Sequence, residues 1–123
     1  MVPRVDIVTV SMSDNFNDIV NQLTKANHSR VPVTGETKDD IVGIIHIKDV
    51  LANINSKKKN RIKYILKEPI FIAPSISLLD LLHEMRLKKR HMALVVDEYG
   101  GIDGLVTIED LVEELVGEIE DEH

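Results

Sequence analysis

The feature that most constrains this chain is that it contains itself twice. Val42-Gly43-Ile44-Ile45-His46-Ile47-Lys48-Asp49-Val50-Leu51 returns as Asp103-Gly104-Leu105-Val106-Thr107-Ile108-Glu109-Asp110-Leu111-Val112 at an offset of 61. The shared pattern is a glycine, an apolar strand end, an aspartate and an apolar pair. Upstream, Phe16, Val20 and Leu23 return as Leu78, Leu82 and Met85 at an offset of 62, so one residue has been gained or lost in an intervening loop. A repeat of this period makes each copy one supersecondary unit. Neither copy can bury both faces of so small a sheet alone, so the two are expected to pack together with helices outside.

Within each copy the apolar period changes between 3.6 and 2, which predicts helix, strand, strand, helix after a short extended lead-in. In the second copy Ser77 is the expected N-cap, with Asp80 three residues on, and Leu78, Leu81, Leu82 and Met85 form one helical stripe. Met92 to Val96 reads as a buried strand, Asp97-Glu98-Tyr99-Gly100-Gly101 as a turn that uses glycine's access to positive φ, and Ile102 to Val106 as the returning strand. In the first copy Ser13 or Asp14 is expected to open the helix, and Val31-Pro32-Val33 to be a strand followed by a polar turn at 35–40. Pro32 lacks an amide donor, which predicts an edge or lead-in position. The expected division is 1–54 for the first copy, 55–66 for a linker, 67–120 for the second copy and 121–123 for the start of a connection to a further domain. The fold class is α/β (α+β), two quasi-symmetric repeats each with a small mixed sheet and flanking helices.

Several function classes are removed by composition. Of 123 residues none is Cys or Trp, which excludes disulfide scaffolds, thiolate metal sites and cysteine nucleophiles. The longest apolar runs fall far short of the roughly 20 residues of a spanning helix. Net charge is −6, with eight Lys/Arg against seven Asp/Glu in 1–60 and seven against fourteen in 61–123. A duplex-binding domain would show the opposite balance, so no nucleic-acid partner is expected. The acids from Glu109 to Glu122 read as a solvated helix face, and Lys57-Lys58-Lys59 with Arg61 and Lys63 as a solvated linker within reach of anionic lipid.

One further stretch carries a resemblance. Gly104-Leu105-Val106-Thr107-Ile108-Glu109-Asp110 is similar to the signature of a nucleotide-binding CBS repeat, a strand glycine followed by Thr-x-x-Asp opening a helix. Pro3-Arg4-Val5-Asp6, Ser29-Arg30-Val31-Pro32-Val33, His91-Met92-Ala93, Val96-Asp97-Glu98-Tyr99-Gly100-Gly101 and Glu113-Glu114-Leu115-Val116-Gly117-Glu118-Ile119 resemble the magnesium and cobalt efflux, CorC-like and hemolysin-like subfamily. Membership implies a regulatory pair on the cytosolic side of a membrane transport protein, following a transmembrane domain and preceding a C-terminal domain. The chain is then expected to be a segment cut at domain boundaries. It also implies an adenine nucleotide, AMP or ATP with or without magnesium, as ligand, and a homodimer associating through the repeats.

Thr107 and Asp110 read two ways. A helix N-terminus presents unpaired amides and positive potential; a threonine hydroxyl adds a donor, and a carboxylate offers two acceptors to a vicinal diol, as in ribose. The same tetrapeptide is also a capping box that satisfies only its own helix. In the first copy His46 stands where Thr107 stands, although Asp49 is kept; an imidazole would crowd a ribose, so one competent site per chain is expected, in the second copy. His46 itself reads as a strand-end histidine with a satisfied ring rather than a metal ligand. The resemblance implies an adenine lined by Ile72, Met92 and Ala93, with Gly104 in the preceding strand, and phosphates met by Arg30 and His91, which occupy matching places after the helix. No catalytic motif surrounds any histidine, so no catalytic residues and no metal site are expected.

Overall fold

The computed structural model describes residues 1–26, 28–57 and 61–121. Lys58 and Lys59 of the basic run and Glu122 of the acidic tail lie outside the described residues. In chain order come β1 (Val2–Pro3), a 3-10 turn (Arg4–Asp6), β2 (Val10–Ser11), α1 (Phe16–Ala26), β3 (Arg30–Thr34), β4 (Ile41–His46) and α2 (Ile47–Ala52). After these follow α3 (Arg61–Ile65), β5 (Ile70–Ile72), α4 (Leu78–Lys88), β6 (Met92–Val96), β7 (Ile102–Thr107) and α5 (Ile108–Asp121). The chain divides into two units, Val8–Glu68 and a second made of Met1–Ile7 with the chain from Pro69 onward.

The two units repeat one plan. In the first, β2 runs parallel to β3 and β3 antiparallel to β4; in the second, β5 runs parallel to β6 and β6 antiparallel to β7, with β1 added on the far edge. The register locates the missing residue: Thr34 pairs with Ile41 and Val96 with Ile102, each at a bulge, so the shortening falls in the hairpin turn. Both turns are closed by an aspartate, from opposite ends. Asp97 Oδ1 accepts from the amides of Tyr99 (2.9 Å) and Gly101 (2.8 Å), and Gly100 takes φ +82°. In the first copy Asp40 Oδ2 accepts from the Glu36 amide at 3.3 Å.

Amphipathic spacing sets the helices. Ile19 and Leu23 of α1 and Leu81 and Met85 of α4 are buried at corresponding positions, and Phe16 is buried where its counterpart Leu78 is half-buried. Ser77 caps α4 as expected, its Oγ accepting from the Asp80 amide at 3.1 Å. In α1 the cap is Asn15 rather than Ser13 or Asp14: Asn15 Oδ1 accepts from Asn17 at 2.8 Å, while Asp14 turns back to the Ser11 amide at 2.9 Å. The α4 terminus is closed by Lys89 in the left-handed conformation (φ 55°), with the Arg90 amide donating to the Met85 carbonyl at 2.9 Å.

One expectation is corrected. Pro32 lies in β3, the middle strand of its sheet, not at an edge. Because β2 reaches only Val33 and Thr34, and Ile44 opposite Pro32 exchanges both backbone bonds with Lys67 (2.9 Å each), the missing amide breaks no ladder bond. The start of the chain pairs with the second copy's sheet: Val2 opposes Leu105 and Pro3 opposes Gly104. The corresponding place on the first sheet is taken by Lys67, which bridges Ile44, so the 55–66 stretch expected as linker contains α3 and delivers the chain onto β4.

Those two approaches explain the repeated glycine. A Cβ on Gly104 would meet the Val2 carbonyl oxygen at 2.7 Å and Met1 Sδ at 2.8 Å; one on Gly43 would meet Leu66 and the Lys67 carbonyl oxygen at 2.9 Å. The glycine marks where a neighbouring backbone lies against the strand.

Each unit has its own core. Val10, Phe16, Ile19, Leu23, Val31, Val33, Ile45 and Val50 form the first, joined by Ile62 and Ile65 of α3. Ile70, Ile72, Leu81, Met85, Ala93, Val95 and Leu111 form the second.

Candidate functional site

The second copy contains a cleft of about 220 Å³ between the end of β5, the start of α4 and the first turns of α5. Its walls are apolar, from Ile72, Ile76, Leu78, Val95 and Val106, and its rim carries the carboxylates of Asp103, Asp110 and Glu114. Typical small-molecule pockets are about 300–1,000 Å³, so this cleft encloses part of a nucleotide-sized ligand.

Both elements of Thr107-x-x-Asp110 are built by the junction of β7 and α5. The Ile108 amide is held by the His91 carbonyl at 2.8 Å, which fixes where strand becomes helix. Thr107 Oγ1 accepts from the Asp110 amide at 3.2 Å and so caps α5. Asp110 does not complete a reciprocal box. Among the described residues its carboxylate has no hydrogen-bond or ion-pair partner, and the residue lines the cleft instead. Capping therefore uses the threonine's oxygen and leaves both carboxylate oxygens of Asp110 available at the cleft.

Of the residues expected at the site, Ile72 and Asp110 line the cleft, while Thr107 does not line it and meets Asp110 through the cap bond to its amide. Gly104 lies a strand position below, where it admits β1 and sets Met1 on the cleft wall. Met92 and Ala93 do not line the cleft. Strand alternation is the reason: Ala93 and Val95 point to the helices, but Ala93, paired to Ile70, is buried in the core beneath, and Met92 belongs to the opposite face. His91 is exposed and serves through its carbonyl. Nor do Arg30 and His91 match. Arg30 pairs with His46 as Met92 pairs with Thr107, so the counterpart of Arg30 is Met92, while that of His91 is Ser29, whose carbonyl accepts from Ile47 at 2.8 Å. Arg30 belongs to the first unit.

Sequence reasoning missed Asp103, Glu114 and Met1. Glu114 was legible, being one helical turn after Asp110 on the same face. Asp103 required knowing which face of β7 turns to the cleft, and Met1 required the pairing of β1 with β7.

At the corresponding junction of the first copy, His46 caps α2 with its ring: Nδ1 accepts from the Lys48 amide at 3.0 Å. The ring is satisfied, as expected. Burial, and next the charge of Arg30 opposite it in the sheet, push His46 below the ordinary histidine value of 6.5; Asp49 opposes the shift, and Lys48 and Lys67 add to it. Among the described residues no cluster of His, Asp or Glu is arranged to hold a metal ion.

A doubled α/β unit with an apolar-walled cleft at one strand-to-helix junction defines a tandem repeat module. The chain belongs to the CBS domain family, residues 1–56 and 62–117 each matching a CBS domain, and within it to the pairs of CorC and hemolysin C relatives. It is 47% identical over its whole length to the hemolysin C homolog of Rickettsia massiliae (strain Mtu5), of which it spans 42%. The CBS domain of a bacterial CNNM/CorC family Mg2+ transporter, in complex with ATP, superposes with a TM-score of 0.86 at 39% identity, over 95% of this chain and 84% of that one. A CBS-domain pair from Klebsiella pneumoniae with bound AMP gives 0.81 at 34% identity, over 94% of each chain. No helix among the described residues is long and apolar enough to cross a membrane.

Proposed function

We propose that this chain is the regulatory CBS pair on the cytosolic side of a CorC-like divalent-cation transport protein, and that it binds one AMP or ATP in the cleft of its second copy. The observation that carries the reading is the carboxylate of Asp110, which has no partner among the described residues and lies on an apolar-walled cleft at the helix end that Thr107 caps. The two acceptor oxygens match the two hydroxyls of a ribose, and a charge-assisted pair of this kind is stronger than a neutral one. Ile72, Ile76, Val95 and Val106 offer the base an apolar bed. Three carboxylates and no base on the lining repel phosphates, so the phosphate tail points outward, where magnesium accompanying ATP offsets its charge. The nucleotide-bound relatives, similar over nearly the whole chain, support the same ligand class. Nucleotide acts on the attached transporter by favouring one arrangement of the parent protein over another.

Calorimetric titration with AMP, ADP and ATP, with and without magnesium, tests the reading. Saturable binding of one nucleotide per chain, lost in Asp110→Ala, is the expected result; no binding of any nucleotide overturns it. A dimerisation role is favoured by a separate observation, the exposed Val112, Val116 and Ile119 at i, i+4 and i+7 of α5. On this reading the chain is a homodimer, and light scattering giving a monomer mass at high micromolar concentration contradicts it.

A further inference from the structure

Between Asp49 and Glu68 the chain carries six Lys or Arg and no Asp or Glu. The other nine of its 15 Lys/Arg lie outside this stretch together with all 21 Asp/Glu, so it is a basic island in an acidic chain. On a flexible linker such charges would be a diffuse cloud. The structure instead builds α3 from part of the stretch and fixes it to the first unit. Ile62 and Ile65 are buried in that unit's core. The Arg61 guanidinium lies 4.3 Å from the centroid of the Phe16 ring, and its Nη1 donates to the carbonyls of Ile54 (3.0 Å) and Asn53 (3.4 Å), which ties α3 to the end of α2.

The inward face settles the outward one. With Ile62 and Ile65 turned to the core, Lys63 and Tyr64 between them are exposed, Tyr64 at 68%. Lys57 and Lys67, before and after the helix, are exposed as well. Lys67 exchanges two backbone bonds with Ile44 (2.9 Å each), so its side chain starts from a fixed point. Ile54, whose carbonyl Arg61 holds, is 39% exposed. Ammonium groups, an aromatic ring and an aliphatic side chain are thus held on one unit. Ammonium groups are attracted to anionic headgroups, and a tyrosine is favoured at headgroup level, where its ring meets acyl chains and its hydroxyl meets water.

We propose that Lys57, Lys63, Tyr64 and Lys67, with Ile54, form a docking surface for an anionic lipid bilayer. This rests on the proposed function only for the presence of a membrane beside the chain; it requires no nucleotide. Attraction of this kind is screened by salt, which makes the docking reversible.

The test is sedimentation of the chain with vesicles of phosphatidylcholine alone, and of phosphatidylcholine and phosphatidylserine in equal parts, at low salt. Binding to the anionic vesicles alone, released at high salt, is expected. Lys63→Glu with Lys67→Glu is expected to lower the partition coefficient by about tenfold or more, and Tyr64→Ser by a smaller factor with the salt dependence unchanged. Should the double variant not fold, Lys57→Glu serves in its place, with a loss of about fivefold. Equal binding to both kinds of vesicle, binding to neither, or wild-type binding by the charge-reversed variant overturns the inference. Binding of polyuridylate without binding of vesicles assigns the basic face to a nucleic acid and overturns it too. The double variant is expected to keep wild-type nucleotide affinity, so the two readings separate: vesicle binding without nucleotide binding keeps the docking surface and removes the second-copy site, and the converse removes the surface alone.

Discussion

The two copies share register, glycine, aspartate and core positions, yet differ at the strand-to-helix junction, where the second presents an acid-rimmed cleft. What separates them is two local events. At the strand-to-helix junction a threonine caps α5 with a small hydroxyl, whereas in the first copy an imidazole does the same work with a ring. Beside it, α3 packs Ile62 and Ile65 into the first copy's core and sets Arg61 over the Phe16 ring. A shared frame with differently built junctions teaches that in a doubled fold the repeated residues specify packing, and the unrepeated ones decide what each half presents.

The comparison breaks first at its aspartates. Asp110→Ala is expected to weaken nucleotide binding by about 10–100-fold, the effect of removing a charge-assisted hydrogen-bonding group, whereas Asp49→Ala leaves it unchanged. Calorimetry on the pair checks this; equal losses would mean that the first copy is open. The glycines come next. Gly43→Ala and Gly104→Ala each force a side chain against a neighbouring backbone, and each is expected to cost about 1–3 kcal/mol in denaturant unfolding. Only Gly104→Ala is expected to lower nucleotide affinity as well, because the backbone it displaces carries Met1 onto the cleft.

A smaller effect separates the caps. Burial, and next the charge of Arg30 opposite it, hold the His46 pKa below 6.5 in the folded chain, and a protonated ring would also lose the bond it accepts from the Lys48 amide. In the range below 6.5 the unfolded chain binds more protons than the folded one, and stability falls as pH falls. Unfolding midpoints of His46→Thr should fall less than those of wild type between pH 7 and pH 5. An unchanged slope would assign the dependence to other groups. The smallest expected change is at Lys89, whose positive φ suits glycine: Lys89→Gly should stabilise by about 0.5–1 kcal/mol, read as a raised midpoint of thermal unfolding.

Much of this was legible in the chain. Period and offset gave the element order, the Ser77 cap and the matching of Leu23 with Met85, because a repeat written in apolar spacing is a local property. Thr107 and Asp110 were legible as a pair, but not as divided in role: whether the carboxylate turns back to its own helix or out to a cleft depends on what stands across from it. Met92 and Ala93 were misplaced for the same reason. Alternation shows that two neighbours face opposite ways, and only the pairing of β5 with β6 shows that the cleft lies further along the strand, at Val95.

The sequence by itself determined two α/β copies, their hairpins and helices, the absence of thiol chemistry and the residues from which a ribose-binding pair could be made. Tertiary structure alone decided that β1 lies on the distant β7, that Gly43 and Gly104 are sites of close backbone approach, and that α3 packs into the first copy's core. These are contacts between residues far apart in the chain. Their energies depend on which surfaces meet, and no local pattern of spacing or propensity encodes that meeting.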